Sequence, residues 1–292
     1  MSNYSIKDLE QLSGIKAHTL RIWEQRYNII SPKRTDTNIR MYDDHDMKLV
    51  LNISLLKDHG YKISDISRLS VQELYKEVIK ISNLHLNYPD QIHALTISMI
   101  DLDEERFEKI ISTNILQFGF ENTMIHIIYP FLSRIGTLWV TGSIGPAQEH
   151  FITNLIRQKI IVAIDGQVSK HRPNSKKYLL FLPEGELHEI SLLFANYIIR
   201  ARYNKVIYLG QSLPFNELMF AYDLHKPDYI FSAITSVPSN SDVQPYANKL
   251  MRAFPDSHIL LTGYQVVGQD IQTDDNATII NNIEDLIQLA GS

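Results

Sequence analysis

The chain has 292 residues, 44% hydrophobic and 21% charged, which is the make-up of a soluble globular protein of about two domains. It contains no cysteine, which excludes disulfides, thiolate catalysis and cysteine-ligated zinc. No apolar run approaches ~18 residues, and Met1–Tyr4 shows no basic or apolar leader segment, so the expectation is a cytoplasmic protein with no membrane contact.

The net charge of −5 is uneven. Residues 1–74 carry 11 Lys and Arg against 10 Asp and Glu, and the remainder carries 17 against 23. Lys16, Arg21, Arg26, Lys33, Arg34 and Arg40 crowd into residues 16–42 beside only Glu24 and Asp36, so this stretch alone points to an anionic partner.

In chain order, Ser5 with Asp8 three residues on predicts a capped helix through Leu9 and Leu12. Ser13-Gly14 breaks it. Lys16 to Tyr27 forms a second helix, Ser31-Pro32 interrupts, and Lys33 to Tyr42 is read as a wing. Helices near Asp43–His59 and Ser64–Leu69 follow on either side of Gly60. Val71–Leu84 is too short for a long coiled coil. From Asp90 to Ile164 the period is helical, with Phe151, Ile152, Leu155, Ile156 and Val162 on a wide apolar face. Gly142–Pro146 separates the last two helices of an expected four-helix bundle, and Pro130 should kink the helix before that break.

Residues 166–176 read as a linker. Beyond it, apolar runs at Tyr178–Leu182, Val206–Leu209, Tyr229–Ile234, Ile259–Thr262 and Thr278–Ile280 alternate with helical stretches. That alternation predicts βαβ units and a doubly wound parallel sheet of flavodoxin or Rossmann type, which binds ligands outside the carboxyl ends of its strands. The domains are therefore drawn at 1–74, 85–165 and 176–292.

A helix, a tight glycine turn and a second helix with exposed bases is a helix-turn-helix layout. Tyr4-Ser5-Ile6-Lys7-Asp8-Leu9, Ser13-Gly14-Ile15 and Thr19–Glu24 come first. With Pro32-Lys33-Arg34, Arg40-Met41-Tyr42 and Gly60–Ile66, they closely resemble the winged helix-turn-helix domain of the MerR family over about residues 4–68. The resemblance implies a symmetric dimer on double-stranded operator DNA. Lys16, His18, Thr19 and Arg21 start the second helix, where side chains reach base edges. Arg26, Lys33, Arg34 and Arg40 are read as phosphate contacts, and Tyr42 as a hydroxyl donor to phosphate. Leu20 and Trp23 are read as core.

The loop after the first strand of the α/β part, Leu182 to Ser191, carries His188 at the ligand-binding edge. A carboxylate two residues earlier, Glu186, can fix the tautomer of the imidazole. One His is a poor zinc site. It suits a cofactor that brings its own ring of nitrogens and lacks one axial ligand.

Glu186-x-His188-x-x-Ser191 resembles the acid-x-His-x-x-Gly motif of cobalamin-binding domains. Gly210-x-x-x-Pro214, Ser232-Ala233-Ile234 and Thr262-Gly263 follow in that family's order. The resemblance implies that His188 is the lower axial ligand of cobalt, that Glu186 supports it, and that Ser232 and Gly263 line a slot for the displaced nucleotide tail. Ser191 and Thr262 stand where that family has glycine, which narrows the slot. Trp139, followed after nine residues by Glu149-His150, resembles the bundle of light-sensing, adenosylcobalamin-dependent MerR-type repressors of carotenoid genes. There the Trp covers the upper axial group and the Glu hydrogen-bonds the adenosyl sugar; His150 is grouped with them as cofactor-binding, its individual role less assignable. The neighbour of Trp139 is Val140, which cannot coordinate cobalt.

These features favour a non-enzymatic regulator, a repressor assembling as a homodimer or tetramer through its cobalamin half. Two alternatives stay open. A MerR-type regulator whose sensory half is a cofactor-independent interaction module would explain Ser191, Thr262 and Val140. A corrinoid-carrier enzyme subunit would share bundle and sheet but has no need of residues 4–68.

Overall fold

The computed structural model describes residues 4–35, 38–84, 88–140, 144–167, 174–238 and 242–291. The side chains of Tyr75, 79–84 and 137–140 lie outside that description. Two compact units, 1–155 and 156–292, meet within one helix.

In the first unit, α1 (Ile6–Ser13) starts where expected: Ser5 Oγ accepts the Asp8 N–H and the Asp8 carboxylate accepts the Ser5 N–H. Gly14, at φ 70°, ends it. Lys16 flanks α2 (Ala17–Tyr27), which buries Leu20 and Trp23. The wing is an antiparallel pair, β1 (Lys33–Arg34) and β2 (Arg40–Met41). Just after β2, Tyr42 exchanges backbone hydrogen bonds with Tyr4, which sews the wing to the start of α1.

Asp43 caps α3 (Asp44–Asp58), whose buried Met47, Val50, Leu51 and Leu55 anchor the domain. The helix expected over Ser64–Leu69 is a single turn, α4 (Ile63–Ile66). It precedes α5 (Val71–Leu84). Next come α6 (Tyr88–Asp101), α7 (Glu104–Thr123) and α8 (Tyr129–Val140), with α6 packed on α3, α7 and α8. The expected kink lies upstream of Pro130. Gly119 leaves helical geometry at φ 77°, and Met124–Ile128 is a π-helical turn whose wider spacing carries Tyr129 N–H to the Met124 carbonyl. A proline has no N–H and its ring collides with the carbonyl four residues back, which a widened turn relieves. α9 (Pro146–Asp165) then runs into the second unit. Gly142, Ser143 and the middle of the expected linker, 168–173, lie outside the described residues.

The second unit is a five-stranded parallel sheet, β3 (Lys177–Pro183), β4 (Lys205–Leu213), β5 (Tyr229–Ala233), β6 (His258–Thr262) and β7 (Ala277–Ile279). Their order is β4-β3-β5-β6-β7. Helices α11 (Phe215–His225) and α12 (Val243–Ala253) cover one face. There Leu218, Ala247 and Leu250 meet Leu179, Phe181, Ile230 and Leu261. Each such fully buried aliphatic or aromatic side chain contributes about 1.5–3 kcal/mol. Helices α10 (Ile190–Ala201) and α13 (Ile283–Gly291) pack together, with α10 also against β3 and β4. Because the chain leaves β3 toward β4 and returns to β5 on its other side, the carboxyl ends of β3 and β5 flank the point where connections diverge, the standard ligand crevice of this architecture.

Candidate functional site

On α2, Lys16, His18 and Arg21 are exposed and Thr19 is half-buried. Lys16 Nζ lies 3.3 Å from Glu10 Oε1, a solvated pair that an incoming phosphate or base can replace. Arg26, Lys33 and Arg34 are exposed too. Lys33 Nζ is 3.4 Å from Asp43, and Arg34 donates to Asn38 Oδ1 at 2.7 Å.

Two expected phosphate contacts read differently in three dimensions. Tyr42 is completely buried and its hydroxyl has no hydrogen-bond partner among the described residues, so as folded it cannot donate to a phosphate; burial pushes that hydroxyl up to about 12. The cause is the backbone pairing with Tyr4, which turns the ring into the core. Arg40 is half-buried and donates from Nε to both oxygens of Glu24, at 2.9 and 3.3 Å. It braces the wing against α2.

In the α/β unit, the loop after β3 is built around Glu186, which is fully buried. Its Oε1 accepts the N–H groups of Leu187 and His188 at 2.9 and 3.0 Å and lies 2.6 Å from His188 Nδ1. Its Oε2 accepts the N–H groups of Thr235, Ser236 and Val237, which follow β5, at 3.0, 2.6 and 3.0 Å. Ser236 Oγ lies 3.2 Å from both oxygens and 3.4 Å from His188 Nδ1. Burial by itself would raise the carboxyl. The Ser236 and His188 N–H groups, the imidazole and the Val237 N–H outweigh it and hold Glu186 at about 2.

An ionised carboxylate only accepts, so Nδ1 carries a proton, and in the neutral ring that leaves the lone pair on Nε2. The His188 side chain is 61% exposed, leaving Nε2 open to a ligand from outside. One oriented imidazole nitrogen on a charged, buried brace is an arrangement that could donate to a metal.

Around it, β4 corrects the expected position of Gly210. The strand does not end at Leu209; it continues to Leu213 through a bulge opposite Phe181, where Gly210 takes φ 79°. The extension holds the loop: Ser212 N–H donates to the Glu186 carbonyl, Gly185 N–H to Ser212 Oγ, and Gln211 Nε2 to the Leu187 carbonyl. Pro214 then starts α11. Ser232 and Ile234 are fully buried at the end of β5, and Ser232 Oγ has no hydrogen-bond partner among the described residues. Gly263, at φ 103°, runs so close to Ile234 that an added Cβ would lie 2.4 Å from its carbonyl oxygen. Ser191 is half-buried in the first turn of α10. Thr262 Oγ1 donates to the Ile280 carbonyl at 2.8 Å, so that hydroxyl is engaged toward the segment after β7.

Two family models match the chain, both within its first 163 residues. The profile of the MerR HTH family regulatory protein matches residues 4–72, and that of the B12 binding domain matches residues 91–163. The chain carries a MerR-type helix-turn-helix domain followed by a B12-binding domain. It is 26% identical to the HTH-type transcriptional repressor CarH of Myxococcus xanthus over 86% of this chain and 85% of that protein. It is 24% identical to CarA of the same organism over 77% and 74%. The monomethylamine corrinoid protein of Methanosarcina barkeri shares the fold at a TM-score of 0.55 and 12% identity, over 66% of this chain and 93% of that one.

Within the B12-binding domain, Trp139 lies in α8 with its side chain outside the described residues, as does that of Val140. Glu149 stands in the first turn of α9, half-buried, with its Oε2 3.6 Å from the Nε2 of exposed His150. Sequence reasoning missed Thr235, Ser236 and Val237, which complete the Glu186 cradle from about fifty residues away. Their one local signal is a polar pair directly after β5. It also missed the buried carboxylate of Glu189 beside the ligand loop.

Proposed function

We propose that the protein is a DNA-binding repressor whose operator affinity and assembly state are controlled by cobalamin bound at His188. The observation that carries this is the His188 Nδ1 to Glu186 contact of 2.6 Å, with the rest of the ring exposed at the sheet's carboxyl edge. Fit to the cofactor is supported by the donor chemistry, a single outward imidazole nitrogen, and by the Ser232 hydroxyl buried at the end of β5, which has no partner among the described residues and which a polar nucleotide tail would satisfy. When bound, cobalamin would supply a cobalt ion able to take a protein nitrogen as ligand and, in the adenosyl form, a light-sensitive bond to carbon.

His188 would hold the cobalt through Nε2, and Glu186, by fixing Nδ1 as the protonated nitrogen, would keep Nε2 aimed outward as the donor. Ser232, Ile234 and Gly263 border the tail, with Gly210, Pro214 and Ser191 on the surrounding loops. The adenosyl form is the proposed ligand, with Trp139, Glu149 and His150 assigned to its upper side. DNA is bound by Lys16, His18, Thr19 and Arg21 at base edges and by Arg26, Lys33 and Arg34 at phosphates, as a homodimer or tetramer. No helix among the described residues is long and apolar enough to cross a membrane, in keeping with a cytoplasmic site of action. A regulator, and not an enzyme, is favoured because the similar proteins over most of the chain are named transcriptional repressors.

The test is gel filtration and absorption spectroscopy with adenosylcobalamin in the dark and after green illumination, alongside His188→Ala. Co-elution in the native chain, loss of it in the variant, and a change of size on illumination support the proposal. No co-elution in the native chain overturns cobalamin control and leaves a cofactor-independent regulator. Full retention by His188→Ala overturns the axial role.

A further inference from the structure

The residue after the proposed cobalt ligand carries a second buried carboxylate, which the cofactor reading does not use. Glu189 is 8% exposed and sits at the start of α10, its carbonyl accepting the Leu193 N–H. A carboxylate this deep needs a cation and hydrogen bonds for its oxygens. It has both: Arg157 Nε on α9 donates to Oε2 at 2.8 Å, and the Tyr208 hydroxyl on β4 donates to Oε1 at 2.9 Å. Tyr208 precedes the bulge at Gly210, and a Cβ on Gly210 would lie 3.6 Å from the Tyr208 ring and 3.8 Å from Glu189 Oε1. Three elements therefore converge on one carboxylate: the ligand loop, the edge strand and α9. Burial and the Glu189 bond both push the Tyr208 hydroxyl upward, so it stays a donor.

We propose that Arg157, through Glu189, is a positioning residue that makes α9 and the His188 loop move as one body. The geometry gives the mechanism. Glu186 clamps one side of the loop to β5, so a shift of His188 along its free direction is taken up by the adjoining residue 189. Glu189 cannot move without dragging the guanidinium, since an unpaired buried carboxylate is strongly disfavoured. Arg157 lies two turns along the same helix from Glu149 and His150, and the far end of α9 is fixed separately by Gln167 Nε2 donating to the Tyr197 carbonyl. The direction of the signal rests on the cobalamin reading; the mechanical tie does not.

The experiment uses the full chain with Arg157→Met, Arg157→Lys and Glu189→Gln. Arg157 is nearly half exposed, so its replacement spares the core, and Glu189→Gln, which keeps an acceptor for Tyr208, serves as the second test. First, amide hydrogen exchange without cobalamin is expected to rise about tenfold over residues 184–190 in Arg157→Met, less in Arg157→Lys and Glu189→Gln, with β3 and β5 unchanged. Unchanged exchange over 184–190 overturns the tie.

Second, with adenosylcobalamin, Arg157→Met is expected to keep the native absorption spectrum while losing about tenfold of the cobalamin-dependent change in operator affinity, partly restored by Lys. A full affinity change in Arg157→Met overturns the relay. Loss of cobalamin from Arg157→Met also overturns it, since that makes Arg157 a binding residue. If the native chain itself ignores cobalamin, the proposed function fails, and the exchange result still decides the tie.

Discussion

Lys16, His18 and Arg21 stand on the open face of α2, while Glu186 lies wholly inside the α/β unit among five backbone N–H groups, an imidazole and a hydroxyl. Both regions use charge, and they use it oppositely. Helix α2 presents cations to water, with Lys16 held only by a solvated pair to Glu10, which under the proposed function a phosphate or base displaces. The ligand loop spends a full buried charge on orienting one ring nitrogen. The first region should therefore tolerate single substitutions in proportion to their number. The second should fail as a unit, because a buried carboxylate and its donors leave one another unsatisfied when any is removed.

Substitutions can break or sharpen that contrast. The largest effect is expected from Gly263→Ala. A Cβ 2.4 Å from the Ile234 carbonyl at φ 103° cannot be relieved by a side-chain rotation, so a loss of about 3–5 kcal/mol is expected in urea unfolding. A loss under about 1 kcal/mol would show that the carboxyl ends of β5 and β6 are far more pliant than the packing implies.

Next comes Glu186→Gln, which turns an amide N–H₂ toward donors and should cost about 2–4 kcal/mol near neutral pH. The sign with pH follows from Glu186 being held at about 2 against an ordinary 4.5. The unfolded chain binds the proton first on acidification, so the stabilisation is complete above about 4.5 and is lost as pH falls toward about 2. The gap between native chain and variant should shrink over that window in urea titrations. A gap independent of pH there would contradict an ionised brace.

Arg21→Ala is expected to weaken operator binding by about 1–3 kcal/mol and to relax sequence preference at one position, read by mobility shift on operator and scrambled duplexes. Lys33→Ala and Arg34→Ala should each weaken both duplexes alike and reduce the salt dependence by about one counterion. The smallest effect belongs to Tyr42→Phe. Its buried hydroxyl has no partner among the described residues, so operator affinity should stay within about 0.5 kcal/mol of native and stability should hold or rise slightly. A marked loss of operator affinity would return Tyr42 to the DNA interface.

Much of this protein is legible without coordinates where the causes are local. The Ser5–Asp8 capping box, the break at Gly14, the burial of Leu20 and Trp23, and the alternation of strands and helices after the linker all depend on residues within a turn or a short period of each other. So does the pairing of Glu186 with His188, two residues apart. Tertiary structure decided the rest. Tyr42 is core because its backbone meets Tyr4, and Arg40 is occupied because the wing folds onto Glu24. Gly210 sits inside β4 because the bulge lets the strand run on to hold the ligand loop. The donors that keep Glu186 ionised come from the end of β5, and Arg157 reaches Glu189 from α9, because strand order and helix packing set residues about fifty and thirty positions apart side by side. No periodicity along the chain encodes such meetings; they exist only once the sheet has chosen its neighbours.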